Sequence, residues 1–406
     1  MEDDYKRFIL ILLISLSIYS YPVINSYKEG NTIEKEIKLS SDLYWHFNTI
    51  KYVANTWNLP REVQTNSDAG INGDLSKENI RSMFHSPLYY FLGGFVYNLS
   101  PGKGLLLLEF LSVVLMICAN IFFFLSLKKI SNYFENEKSF VTYSLIIFAF
   151  LPVHLYHSGF IHNDIMYYFV YSLIFYFFIR FAVNKNKKNA IIFGVFAGLG
   201  LLSRLSAIAI FIALAIYIIF KYFNRKYNEA KLLSYSLLTA IVIGGGVLIR
   251  NKILFDSPFG DITSYFKERE LFSGLAHLAR GFWGGVYGGE EKIFFLVGLA
   301  SITLIITTLV GIKKFYNNSD KINLNFLLLV PLVQFGLTVL LGCDPVYLIK
   351  NGVCFGTQSA GRYFIPLDPI IAISSGLVFS QIKKRMIPLI VIGISMIFIL
   401  DFLAAF

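Results

Sequence analysis

Charge is scarce in this chain: only 15% of its 406 residues are Asp, Glu, Lys or Arg, against about 25% in a soluble globular protein. With 55% hydrophobic residues, 17% aromatic residues and a mean hydropathy of +0.60, that deficit excludes a water-soluble fold. Cysteine is nearly absent too, and three thiols do not make a disulfide scaffold. Cys118 falls inside an apolar run. Cys343 and Cys354 flank one short loop, where a bridge forms only if the compartment is oxidising; two free thiols are the alternative. Neither G-x-x-x-x-G-K-S/T nor G-x-G-x-x-G follows a strand-like run, which excludes a nucleotide-binding domain of those kinds. No internal repeat suggests a transporter built from duplicated halves. The net charge of +10 does not point to a nucleic-acid partner, because the basic residues sit in short clusters between apolar runs, the usual mark of cytoplasmic loops.

What the chain has instead is hydrophobic length. A helix crossing the hydrocarbon core needs about 20 apolar residues. By that measure there are about eleven spans, near 8–24, 104–127, 140–156, 163–183, 189–203, 205–221, 232–250, 292–312, 325–342, 361–381 and 387–406. The first follows Lys6 and Arg7 like a signal peptide, yet no small-residue cleavage site follows it, so it reads as an uncleaved helix. The expected fold is an all-α polytopic membrane protein, one integral domain over 1–406. Its two long loops are 25–103 and 251–291, and amphipathic juxtamembrane helices lie in the first. Basic clusters at 6–7, 128–138, 180–188, 221–231, 313–321 and 383–385 alternate with the spans. By the positive-inside rule they put the N-terminus in the cytoplasm and the C-terminus outside, in the plasma membrane. All six histidines (His46, His85, His154, His157, His162, His277) and all three tryptophans (Trp45, Trp57, Trp283) then fall on the outer side. Tryptophan there is ordinary interfacial anchoring; the histidines mark the working face.

The first outer loop is long for a structureless connection. Leu43, Phe47, Ile50, Ala54 and Trp57 recur at helical spacing, with His46, Asn48, Lys51 and Asn55 opposite, which predicts a helix lying in the membrane surface. Ser41 can cap it, with Asp42 in the first turn, where the helix dipole favours a carboxylate. A second helix is predicted to begin with Ser86 as cap and Pro87 as first helical residue. The residues between, 61–81, are polar and glycine-containing. The other long loop holds S-P-F-G-D and G-F-W-G-G-V-Y-G-G-E-E, whose glycines allow close backbone approach to a ligand.

Three groups carry chemistry. Asp42, beside His46, is placed as a general base, although capping alone would also put a carboxylate there. The cluster H-L-Y-H-S-G-F-I-H-N-D, 154–164, joins two spans, and Asp164 opens a transmembrane helix, where ionisable residues are rare and functional. His154, His157, His162 and Asp164 have donor types that suit a divalent ion such as zinc or manganese; histidines bound to water and headgroups are the alternative. Arg204, Arg250 and Arg362 end helices on the outer side, where the guanidinium fork suits a phosphate and snorkelling to headgroups is the other use.

Several short motifs occur together. Asp42 with His46 resembles an acidic D-E-x-x-H-type motif after a first span, and His85-Ser86-Pro87-Leu88-Tyr89-Tyr90 resembles H-P-P-L-Y-Y. His162-Asn163-Asp164 resembles N-N-D, and 198–206 resembles G-L-x-x-x-x-K-x-x with Arg204 for the lysine. Arg250-Asn251 with Pro258-Phe259-Gly260 resembles R-N-x-x-x-x-x-x-P-x-G, and Gly361-Arg362-Tyr363 resembles G-R-Y. In this order the motifs resemble the GT-C superfamily of membrane glycosyltransferases, which includes protein O-mannosyltransferases and the aminoarabinose transferases that modify lipid A. The resemblance spans nearly the whole chain. It departs at Leu43, where a second acid is common, and at Ser86, where a proline is.

The resemblance implies an inverting transfer of sugar from a polyprenyl-phosphate donor to a lipid, glycan or protein acceptor on the outer face. Asp42 would activate the acceptor hydroxyl. Asp164 would bind a metal or orient the acceptor, among His46, His85, Tyr89, His162 and Asn163. Arg362, with Arg204 and Arg250, would hold the donor phosphate. A transporter or flippase of a lipid-linked sugar is the main alternative, and an inactive assembly factor with the same fold is a third; the first would place its binding site near mid-membrane.

Overall fold

The computed structural model describes residues 2–28, 41–60, 85–134, 137–259, 268–270, 291–319, 325–341, 354–356, 365–382 and 386–404. Almost all of them are helical. In chain order come α1 (Glu2–Tyr19), α2 (Tyr21–Lys28), α3 (Ser41–Thr56), α4 (Leu88–Leu99), α5 (Gly104–Ile130), α6 (Glu137–Ala149) and α7 (Pro152–Ser158). Then follow α8 (Asn163–Val183), α9 (Lys187–Ser203), α10 (Ile208–Phe223), α11 (Tyr227–Gly244) and α12 (Gly246–Phe255). The last four are α13 (Glu291–Ser319), α14 (Asn325–Leu341), α15 (Asp368–Gln381) and α16 (Ile387–Ala404). In hydrocarbon no water is available to backbone amides, so each span must close its own hydrogen bonds, and a helix does so. One antiparallel ladder, β1 (Glu268–Glu270) with β2 (Cys354–Gly356), joins two loops that are far apart in sequence.

Every expected span overlaps one helix or a pair of consecutive helices, but the count of eleven is not confirmed. Among the described residues five helices are long and apolar enough to cross a membrane, or seven with two bent pairs included. The rest of α14, α15 and α16 falls short on length. Both bends have local causes. Between α6 and α7 the axis turns by 53°; Pro152 starts α7 without an amide hydrogen, and the residue before a proline avoids helical backbone, as Leu151 does at φ −58°, ψ 137°. Between α11 and α12 it turns by 43° at Gly244-Gly245-Gly246.

Helices approach closely where small residues face each other, as expected in lipid. Gly194 and Gly198 of α9 lie against Ser236, Ala240 and Ile243 of α11, and Ser236 donates its hydroxyl to Ala190 O at 2.8 Å. Gly311 of α13 meets the backbone of Ser374 on α15, and Gly376 of α15 meets Ser144 on α6. Aromatic rings fill the wider gaps: Phe178, Phe193, Tyr217 and Phe326 bring α8, α9, α10 and α14 together. Outward-facing side chains such as Leu13, Ile219, Val242 and Leu309 are aliphatic and exposed, the surface that lipid requires. The chain is an integral membrane protein.

The two ends of the bundle differ. At one end Lys128 pairs with Asp4 at 3.1 Å, and Lys185 and Lys221 share Glu229 at 2.7 and 3.1 Å. The other end, where α8 begins and α9 stops, holds the histidines and Asp164.

The first-loop helices differ in part from expectation. α3 packs against α4, with Leu43, Phe47, Ile50 and Val53 buried, but His46, Asn48 and Thr49 are buried too. Among its described side chains Asn55 and Thr56 are exposed, as is Trp57 just beyond, and Trp45, Lys51 and Tyr52 are half-buried. Ser86 does not cap α4: its hydroxyl donates to Leu201 O at 2.7 Å, and Pro87 occupies the cap position instead. That bond ties α4 to the last turn of α9.

Candidate active site

The site is assembled where α8 starts. His162 is the extended residue before the helix, and its Nδ1 accepts the Asp164 amide hydrogen at 3.1 Å. That bond assigns the ring proton of a neutral His162 to Nε2. Asp164 lies in the first helical turn, completely buried, where the free amides and helix dipole favour an anion. Its second neighbour comes from the far side of a helix pair. α9 stops at Ser203, Arg204 is extended, and a short 3-10 turn over Leu205–Ala207 leads into α10. This turn aims the buried Arg204 guanidinium at Asp164, Nη1 against Oδ1. Asp164 Oδ2 lies 3.3 Å from His162 Nδ1 and 3.9 Å from His157 Nε2.

α3 closes the site from the loop side. The His46 ring stands edge-on to His162, centroids 4.2 Å apart, and 5.7 Å from His85. His46 Nδ1 is 2.8 Å from the Tyr90 hydroxyl. The Asn163 side-chain amide donates to His85 Nδ1 at 3.3 Å. Tyr89 is buried and packs edge-on against Tyr90. Thus His46, His85, Tyr89, His162, Asn163, Asp164 and Arg204 all converge. Asp42 is the second residue of α3, four before His46 and so on the same helix face.

Other expected residues lie elsewhere. Arg250 is spent on the protein, its Nη1 donating to Asn251 Oδ1 and its Nη2 to Pro60 O, both at 3.0 Å. His154 turns from His157, although the two are three apart on one helix: its Nε2 lies 3.0 Å from Asp368 Oδ2. Among the described residues no group of three or more His, Cys, Asp and Glu is arranged to hold a metal ion. Of the four expected ligands, His154 lies against Asp368, and the Arg204 guanidinium lies against Asp164. The Asp42 side chain, Arg362, His277, Trp283 and the Cys343–Cys354 pairing lie outside the described residues.

The comparisons with known proteins follow from this fold. Residues 84–249 match the profile of the dolichyl-phosphate-mannose-protein mannosyltransferase family. A crystal structure of ArnT from Cupriavidus metallidurans, bound to undecaprenyl phosphate, superposes on 95% of the chain with TM-score 0.56 at 10% identity. The Archaeoglobus fulgidus oligosaccharyltransferase in complex with Zn and sulfate covers 97% with TM-score 0.58 at 13% identity. Its apo form covers 92%, with TM-score 0.50 at 12% identity. The fold is the one seen in ArnT and in the archaeal oligosaccharyltransferase. The chain spans 62%, 53% and 50% of the chains in those three structures. A search among curated proteins by sequence finds no match. The matched segment holds every described residue around Asp164 except His46.

Besides Asp4, three buried acids escaped the sequence reading. Glu109 of α5 is 2% exposed, Asp368 opens α15, and Asp401 of α16 accepts the Tyr156 hydroxyl at 2.8 Å. Their signal was present: each is a carboxylate at or within an apolar span.

Proposed function

We propose that this protein is an inverting glycosyltransferase that takes a sugar from a polyprenyl-phosphate donor and passes it to a hydroxyl acceptor at the outer membrane face. One observation carries the reading. His46, on the helix that bears Asp42, stands edge-on to His162 beside the buried Asp164–Arg204 pair, within a GT-C fold. The two acids then have different tasks. A carboxylate whose oxygen is engaged by a guanidinium gives its lone pairs to that partner, so Asp164 orients and Asp42 takes the proton. The acceptor oxygen attacks the anomeric carbon as Asp42 removes its hydrogen. The bond from that carbon to the phosphate oxygen breaks on the opposite face, and polyprenyl phosphate leaves. Arg362 binds the donor phosphate. Arg204, expected on that phosphate, is assigned instead to holding Asp164, and Arg250 to holding the loop. No step is routed through a metal ion.

The test separates base from donor binding. Asp42→Asn keeps shape and capping but loses the proton acceptor, so turnover falls by about 10²–10⁴-fold, the usual share of general-base catalysis, while undecaprenyl phosphate still binds. Arg362→Ala weakens that binding, because a charge-assisted contact is lost. A fully active Asp42→Asn would sink the enzyme reading and turn attention to a lipid-linked-sugar flippase. Mass spectrometry of the lipid that co-purifies names the donor class.

A further inference from the structure

The short helix α7 sends three side chains in three directions, and each ends on a carboxylate from a different helix. His154 Nε2 lies 3.0 Å from Asp368 Oδ2 in the first turn of α15. Tyr156 donates its hydroxyl to Asp401 Oδ2 of α16 at 2.8 Å. His157 Nε2 faces Asp164 Oδ2 of α8 at 3.9 Å, while its Nδ1 donates to Val153 O at 2.6 Å. His154 and Asp368 are 0% and 1% exposed. The rings of Phe148 and Tyr168 close on His154 at 4.4 and 4.8 Å, and Tyr168 also lies 5.8 Å from His157. His154 Nδ1 and Asp368 Oδ1 have no hydrogen-bond partner among the described residues, so nothing competes for the contact between them.

Seven residues make two helical turns, too few for a helix to hold itself in place. α7 also departs from α6 at 53°, so the preceding helix does not set its rotation. Its side-chain anchors must do so. We propose that Asp368 and Asp401 are positioning residues: through His154 and Tyr156 they set the rotation of α7, and so the place of His157 against Asp164. Both acids lie outside the matched segment 84–249. The last two helices therefore govern geometry inside it. The consequence for turnover rests on the transferase reading, whereas the positioning does not.

The experiment follows His157 directly. With six histidines in the chain, protein isotope-labelled only in its imidazoles yields few ring signals, and His157→Gln assigns one of them. Asp368→Ala and Tyr156→Phe are each expected to move the His157 signal. Asp368→Asn keeps an oxygen that accepts from His154 Nε2–H and leaves the signal at its wild-type position. Turnover is expected to follow the same order, with losses up to about 10²-fold, the scale of a small misplacement at a reacting centre. A purely structural role would lower the unfolding temperature without moving His157. An unmoved signal in Asp368→Ala and Tyr156→Phe overturns the proposal. If Asp368→Ala does not fold, Tyr156→Phe decides alone, since it removes a single oxygen. Signals that move as expected in a protein whose wild type transfers no sugar uphold the positioning and refute the transferase reading.

Discussion

Arg204 and Asp164 show what one residue pair does here. They are 7% and 0% exposed, in surroundings where a lone charge is expensive. Removing one partner of a buried pair strands the other, at a cost of roughly 3–5 kcal/mol. Arg204→Ala is therefore expected to destabilise the protein by about that much, read as a large drop in unfolding temperature in detergent. Arg204→Lys keeps the charge and loses the planar fork, so it recovers part of the stability. If Arg204→Ala unfolds at the wild-type temperature, the guanidinium does not hold Asp164. Glu109 belongs to the same scale: a carboxylate 2% exposed within α5 signals a role by its location alone.

At the level of elements, the contact between α9 and α11 positions Arg204, because Arg204 follows the last residue of α9. A Cβ on Gly198 would lie 2.7 Å from Ile243 Cβ and 2.9 Å from Ala240 O, whereas one on Gly336 of α14 meets nothing within 4 Å. Backbone cannot yield as a flexible side chain does, so Gly198→Ala forces the helices apart. Overpacking of this kind typically costs about 1–3 kcal/mol. Gly198→Ala should lower thermal stability and, by displacing Arg204, turnover as well. Gly336→Ala should leave both unchanged, or raise stability slightly through helix propensity. Equal effects from the two substitutions would count against close packing as the cause.

The whole molecule is polarised along its helices. Lys128, Lys185 and Lys221 gather at one end with Asp4 and Glu229, and Asp164, Arg204 and the histidines gather at the other. By the positive-inside rule the lysine end is expected in the cytoplasm, so the proposed place of the histidine end is outside. Single cysteines placed in 184–189 should resist a membrane-impermeant thiol reagent applied to intact cells, and cysteines in 343–360 should react. Labelling of the first set from outside would invert the topology and move the proposed reaction to the cytoplasmic face.

Much of this was legible from residues alone. Low charge and long apolar runs dictate a helical membrane protein, because backbone amides in lipid must be satisfied within their own segment. Each run accordingly became a helix or a pair of consecutive helices, and the bends fall at Pro152 and at three consecutive glycines. His46, His85, His162, Asn163 and Asp164 were identifiable as polar groups beside apolar spans. Choice of partner was not legible, since it joins residues far apart in the chain. The i, i+3 spacing of His154 and His157 implied a shared ligand, but a carboxylate 214 positions away claims His154. Arg204 was identifiable as a cation for a phosphate, but its contact with Asp164 was not legible. His46 and Asn48 looked solvent-facing because α3 was considered without the helices packed against it. Local periodicity reports what a segment does with its own neighbours; which side chains meet across the bundle is set by helix rotation and close approach, and those exist only in the packed molecule.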